Sequence, residues 1–131
     1  MAYLKKKSDQ LKKAMKSWRL LDDCPYSDIV RDATIQRFEF SFELLWKVVK
    51  IYLKDVHAIA SDSPKACFRE LRLPLNLSEK EVELCLKMAD DRNLSVHTYS
   101  KEMAEKLYKR IRKYQGLCGK ISEKISLADS K

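Results

Sequence analysis

The chain has 131 residues, 45% hydrophobic and 35% charged, with a formal net charge of +8 and only 2 Gly and 3 Pro. That length suits a single domain spanning residues 1–131 with a sizeable core, and so few turn-formers favour helices over sheets. No run of about 18 uncharged apolar residues occurs, and the basic start MAYLKKKSDQ has no apolar stretch behind it, which argues against a membrane span or secretory signal and leads us to expect a cytoplasmic protein.

In chain order, Leu4, Leu11, Met15 and Trp18 fall on one face, predicting an amphipathic helix over residues 2–21. It stops before Asp22-Asp23-Cys24-Pro25, because proline pushes the preceding residue out of helical geometry. Ser27 can cap the next helix, in which Ile35, Phe38, Phe42, Leu45, Val49, Tyr52 and Val56 step by three and four. A second apolar set, Phe40, Leu44, Val48 and Ile51, lies on another side, leaving Asp32, Gln36, Glu39, Glu43, Lys47, Lys50 and Lys54 as one narrow polar strip. A helix of about 43 Å with so little polar face must be covered on more than one side. Either it is the centre of the bundle or its second stripe meets another copy; a chain this short has few helices to spare, and we expect a homodimer.

Ser63-Pro64 opens a short helix to about Leu71. Ser78-Glu79-Lys80-Glu81 is a capping box, opening a helix with Val82, Cys85, Leu86 and Ala89 inward that runs out near residues 90–92. From about Ser100 to Leu127 the residues Ala104, Leu107, Ile111, Tyr114, Cys118, Ile121 and Ile125 keep an unbroken 3,4 spacing, predicting one last helix with Gly116 and Gly119 softening its final turns. The fold class expected is all-α: an up-and-down four-helix bundle with one additional short helix, homodimeric.

Much chemistry is missing. Cys24, Cys67, Cys85 and Cys118 are scattered without a CxxC pair and read as small buried hydrophobes. Neither glycine can belong to a phosphate cradle, and no His/Cys/Asp/Glu cluster has metal-ligand spacing, so no cofactor and no metal are expected. His57 reads as a helix-end histidine.

The stretch DRNLSVHTY, Asp91 to Tyr99, falls at the corner between the last two helices and holds Arg92 and His97 as R-x4-H. The pair suits RNA cleavage without metal. An imidazole can take the 2′-hydroxyl proton or give one to the leaving oxygen, and a guanidinium can clamp the phosphate. One imidazole cannot readily do both transfers, so a dimer bears on the mechanism. The spacing alone is common, with roughly 0.4 chance matches in such a composition. The plain alternative is that Arg92 pairs with Asp90 or Asp91 while His97 packs at a helix start. Further along, Lys106, Lys109, Arg110 and Lys113 share a face opposite the seam, either as a track for an RNA backbone or as a solvated face.

Two stretches, RDATIQRFEFSFELLWKVVKIYL from Arg31 to Leu53 and DRNLSVHTY, resemble the HEPN superfamily, and within it the HepT toxins and nucleotidyltransferase substrate-binding subunits. SPKACFREL, Ser63 to Leu71, fits the short middle helix of the same family. The resemblance implies a dimerising all-α bundle whose two R-x4-H motifs share a cleft. It also implies a metal-independent endoribonuclease toxin neutralised by a small partner nucleotidyltransferase as antitoxin. It places Arg92 and His97 as the motif's arginine and histidine and Asn93 in the polar position after the arginine. Tyr99 becomes the site of AMPylation, where added bulk and negative charge beside Arg92 would block RNA. The same resemblance leaves open a non-catalytic subunit that presents substrate to a separate nucleotidyltransferase.

Overall fold

Ser27, Ser63, Ser78 and Ser100 each accept a hydrogen bond from a backbone N–H of the first helical turn that follows, so four helix starts are set by local sequence. Ser78 and Glu81 satisfy each other's backbone N–H groups as a full capping box. The computed structural model describes residues 2–97 and 100–129. Its helices are α1 (Ala2–Leu20), α2 (Asp28–His57), α3 (Pro64–Leu71), α4 (Glu79–Ser95), α5 (Lys101–Ile111) and α6 (Gln115–Asp129), and among the described residues there is no strand. Ala58 ends α2 in a left-handed conformation, φ 56°, its N–H bonded back to the helix.

Cross-helix contacts fix the topology. Arg37 on α2 donates to the Ser17 carbonyl on α1 at 2.7 Å, and Trp18 packs on Phe38 with ring centroids 5.5 Å apart, so α1 and α2 form an antiparallel hairpin. Ser95 near the end of α4 meets Glu39 early in α2, which makes that pair antiparallel too. Descending α4, Asp91 meets Arg110, Met88 meets Cys118 and Glu81 meets Lys120. Lys12 then bonds Ser126 and Asp22 bonds Gln115, so α6 closes the ring against α1. The result is an up-and-down four-helix bundle, with α5 and α6 together as its fourth member and α3 as the extra short helix.

Most of the core is the one the apolar spacing predicts, although Val56 at the end of the first α2 stripe is exposed and Val82 and Leu86 of α4 are only half-buried. Leu4, Leu11, Met15 and Trp18 of α1 are buried against Phe38, Phe42, Leu45 and Val49 of α2, and the whole 3,4 seam from Ala104 to Ile125 is buried. Cys67, Cys85 and Cys118 are buried thiols, with burial pushing Cys85 up to about 12, whereas Cys24 is exposed. No helix among the described residues is long and apolar enough to cross a membrane.

Three further expectations shift. The second apolar stripe of α2 is largely covered by the chain itself: Val48 is fully buried, Leu44 and Ile51 are half-buried against the core, and only Phe40 stays outside, 58% exposed. Most of the surface that motivated a second copy is therefore already used. Helix α4 runs on to Ser95, so Asp91, Arg92 and Asn93 are helical rather than part of the corner. The last helix is two helices, parted by a 3-10 turn at Arg112–Tyr114. There Arg112 reaches Asp22 at 3.4 Å while Tyr114 reaches Asp91 at 2.5 Å, and Gly116, which holds helical geometry weakly, follows at once.

Candidate active site at the end of helix α4

Arg92 lies in the last turn of α4 and points across to α2. Its Nη1 is 3.3 Å from Glu39 Oε2, and its Nε is 3.5 Å from Glu43 Oε1. The Ser95 hydroxyl stands 2.7 Å from Glu39 Oε2 and 2.7 Å from the Arg92 carbonyl, and it accepts from Arg92 Nη1 at 3.3 Å. A hydroxyl has one proton, so Ser95 serves one of these two acceptors at a time. The Nε atom is buried without a hydrogen-bond partner, since its approach to Glu43 is an ion pair and not a well-formed bond. The guanidinium is thus positioned from two helices and keeps an unused donor.

The acids chosen from sequence for Arg92 have other partners. Asp90 pairs with Lys65, and Asp91 takes Arg110 Nη2 at 2.7 Å and the Tyr114 hydroxyl. Glu39 and Glu43 went unnoticed because the polar strip of α2 reads as solvated. The signal was there: two carboxylates four apart in FEFSFELLWK stand between large apolar residues, where a partly buried charge calls for a cation.

His97 lies two residues beyond α4, exposed, with its backbone N–H bonded to Leu94 O at 2.9 Å; exposed Val96 precedes it. The fold therefore holds Arg92 and His97 at the same end of the bundle, one on the helix and one on the turn after it. Asn93 faces a different way. It lines a groove of about 300 Å³ with Ser63, Pro64 and Lys65 at the start of α3, not the Glu39–Glu43 side. Tyr99 lies outside the described residues.

The basic stripe of the last segment is divided. Lys106 pairs with Glu102, Lys113 sits 5.5 Å from the centroid of the Tyr114 ring, and Arg110 is tied to Asp91, so of the four Lys109 alone has neither an ion pair nor a ring contact among the described residues. Burial, then the Asp91 carboxylate, pushes the Tyr114 phenol well above its ordinary range, and the same carboxylate holds Arg110 firmly protonated. His57 is the last residue of α2, its Nε2 2.9 Å from the Tyr52 hydroxyl, and belongs to the helix end. Among the described residues no group of three or more His, Cys, Asp or Glu side chains could hold a metal ion.

The sequence matches the family described as nucleotidyltransferase substrate binding protein like over residues 1–126. The chain belongs to this family. A crystal structure of the Thermus thermophilus protein ttk003001694 is similar to it, with 34% identity and a TM-score of 0.82, covering 88% of this chain and 98% of that one. No match is found among curated proteins. Membership of the nucleotidyltransferase substrate-binding family fits the HEPN-type bundle seen here and connects the chain with a nucleotidyltransferase partner.

Proposed function

We propose that this chain is a metal-independent endoribonuclease toxin, silenced by a partner nucleotidyltransferase that transfers AMP to Tyr99. The observation that supports this most is Arg92, anchored by Glu39, Ser95 and Glu43 and five residues before exposed His97, in a family tied to nucleotidyltransferases. In the reaction, one imidazole takes the proton of a ribose 2′-hydroxyl and the oxygen attacks the adjacent phosphorus. The bond from phosphorus to the 5′-oxygen breaks, and a protonated imidazole supplies that oxygen with its proton, leaving a 2′,3′-cyclic phosphate and a 5′-hydroxyl. Arg92 steadies the charge gathering on the phosphoryl oxygens. Two copies supply the two imidazoles, so the active unit is a homodimer whose contact lies on the side of Val96 and His97. The two carboxylates do not forbid phosphate binding. At side-chain exposures of 22% for Arg92, 26% for Glu39 and 41% for Glu43, each pair is worth about 0–1 kcal/mol, which a phosphodiester can rival.

Silencing follows from charge. The Tyr99 oxygen attacks the α-phosphorus of ATP held by the partner, pyrophosphate leaves, and the phenolic proton is released. The adenylyl phosphate then occupies the approach to Arg92. Purified protein incubated with RNA in EDTA should cleave it, and His97→Ala and Arg92→Ala should not. Equal cleavage by all three would dismiss the proposal.

A second reading has its own support, since Arg92 is already engaged by two carboxylates and the family description names substrate binding. In that reading the chain is a non-catalytic subunit that presents substrate to the nucleotidyltransferase. Expression without the partner separates the two: growth arrest relieved by His97→Ala belongs to the nuclease alone.

A further inference from the structure

We propose that the groove between α1 and α2 is a subsite for one base of single-stranded RNA, with Phe40 as its stacking platform and Lys7 and Lys47 as its phosphate contacts. The inference rests on the RNA-handling reading above. The groove encloses about 410 Å³ and is bounded by Lys7, Ser17, Arg37, Phe40, Leu44 and Lys47. Its width comes from small residues of α1, Ala14 and Ser17, set opposite large ones of α2.

Each wall offers something a base can use. Phe40 is the one phenylalanine of α2 left outside the core, 58% exposed, while Phe38 and Phe42 are buried. A π-face standing free beside an apolar Leu44 accepts any base by stacking. Arg37 is held by its 2.7 Å bond to the Ser17 carbonyl, so its planar guanidinium is already in position at the groove wall. Glu43 also lines the groove, and the same carboxylate stands 3.5 Å from Arg92 Nε. A base in the groove is therefore one side chain away from the arginine of the R-x4-H pair, and Glu43 can accept from an exocyclic amino group.

Charge decides the occupant. Lys47 and Lys7, the latter with its Nζ 5.6 Å from the Tyr3 ring centroid, line the groove without an ion pair among the described residues, and Lys6 and Lys13 are exposed on the same helix as Lys7. A second copy of a chain carrying +8 would bring its own lysines against these, whereas a polyanion with flat apolar bases satisfies both the rim and the floor.

The test uses full-length protein carrying His97→Ala, a fluorescein-labelled ten-nucleotide RNA, EDTA and fluorescence anisotropy over a salt series. Phe40→Ala should weaken binding about tenfold with the salt slope unchanged, as expected for loss of one stacked base. Lys47→Ala should weaken it and lower the slope by roughly 0.7, one phosphate contact on a single strand. An abasic strand of the same length should bind weakly and be indifferent to Phe40→Ala. Unchanged affinity in Phe40→Ala, an abasic strand bound as tightly as RNA, or no RNA binding at all would overturn the proposal. So would a change of oligomeric state in Phe40→Ala by sedimentation, which would mark the face as a contact between copies. Because binding is read in a non-cleaving background, absence of cleavage by the wild type removes the nuclease reading alone. A silent Phe40→Ala removes only the subsite.

Discussion

Asp91→Ala is the most informative perturbation of the fold near the site. The Asp91 carboxylate accepts from the Tyr114 hydroxyl at 2.5 Å and from Arg110 at 2.7 Å and 3.4 Å, joining α4 to the turn between α5 and α6. Tyr114 is 1% exposed, so truncation removes a charge-assisted bond and strands a phenolic hydroxyl with no access to water. A hydrogen bond to a charged group contributes about 1.5–3 kcal/mol, and an orphaned buried donor costs about 1–3 kcal/mol. The Arg110 side chain is 40% exposed and can turn to solvent, so its share is about 0–1 kcal/mol. The expected loss is roughly 3–5 kcal/mol, a large part of the 5–15 kcal/mol typical of a domain. Urea unfolding followed by far-UV circular dichroism, with the buried Trp18 as a second probe, should show the midpoint falling by about 2 M. Arg110→Ala should lower it by less than about 0.5 M. If Asp91→Ala costs under about 1 kcal/mol, or Arg110→Ala costs more than Asp91→Ala, the ranking of the buried Tyr114 bond above the Arg110 pair is wrong.

Three further outcomes can be checked together. Arg92→Ala should fold normally, with a Tm within about 5 °C of the wild type, because its partners Glu39 and Glu43 can be solvated; a collapse in thermal scanning would mean that lost activity reflects unfolding. Stability should fall on the alkaline side. The raised Tyr114 phenol protects the folded state below its unfolded value of 10.0, and that contribution disappears as pH climbs through the higher folded value. Tyr114→Phe should flatten the pH dependence of the urea midpoint above pH 10, and an unchanged slope would contradict it. Gly116→Ala should stabilise by about 0.5–1 kcal/mol, since an added Cβ meets nothing within 4 Å on a helical position; a lowered Tm would show that the backbone there needs glycine.

What the sequence discloses depends on how local its cause is. The serine caps, the Ser78–Glu81 box and the seam from Ala104 to Ile125 are set within one or two turns, and they appear where the spacing places them. The break at Arg112–Tyr114 holds no proline or glycine itself, and Gly116, two residues beyond it, weakens the helix without fixing where it parts. The break arises where Asp22 and Asp91 draw neighbouring side chains of one helix to different parts of the bundle, and periodicity holds no trace of that. The same limit applies to the site. Position and spacing single out Arg92 and His97, but the acid facing each arginine depends on which helices lie side by side. Asp91 therefore proved to serve Arg110, while Glu39 and Glu43 serve Arg92.

The closure of α6 against α1 sets the order of events during synthesis. Lys12 and Ser126 touch across 114 residues of chain, so the first helix waits with that flank bare until residue 126 has been made. The α1–α2 hairpin can form early and shield one flank of Leu4 and Leu11, but the other stays open to passing chains. A nascent chain stalled before residue 115 should be sticky and in need of a chaperone, and emergence of α6 should end that dependence within one folding step.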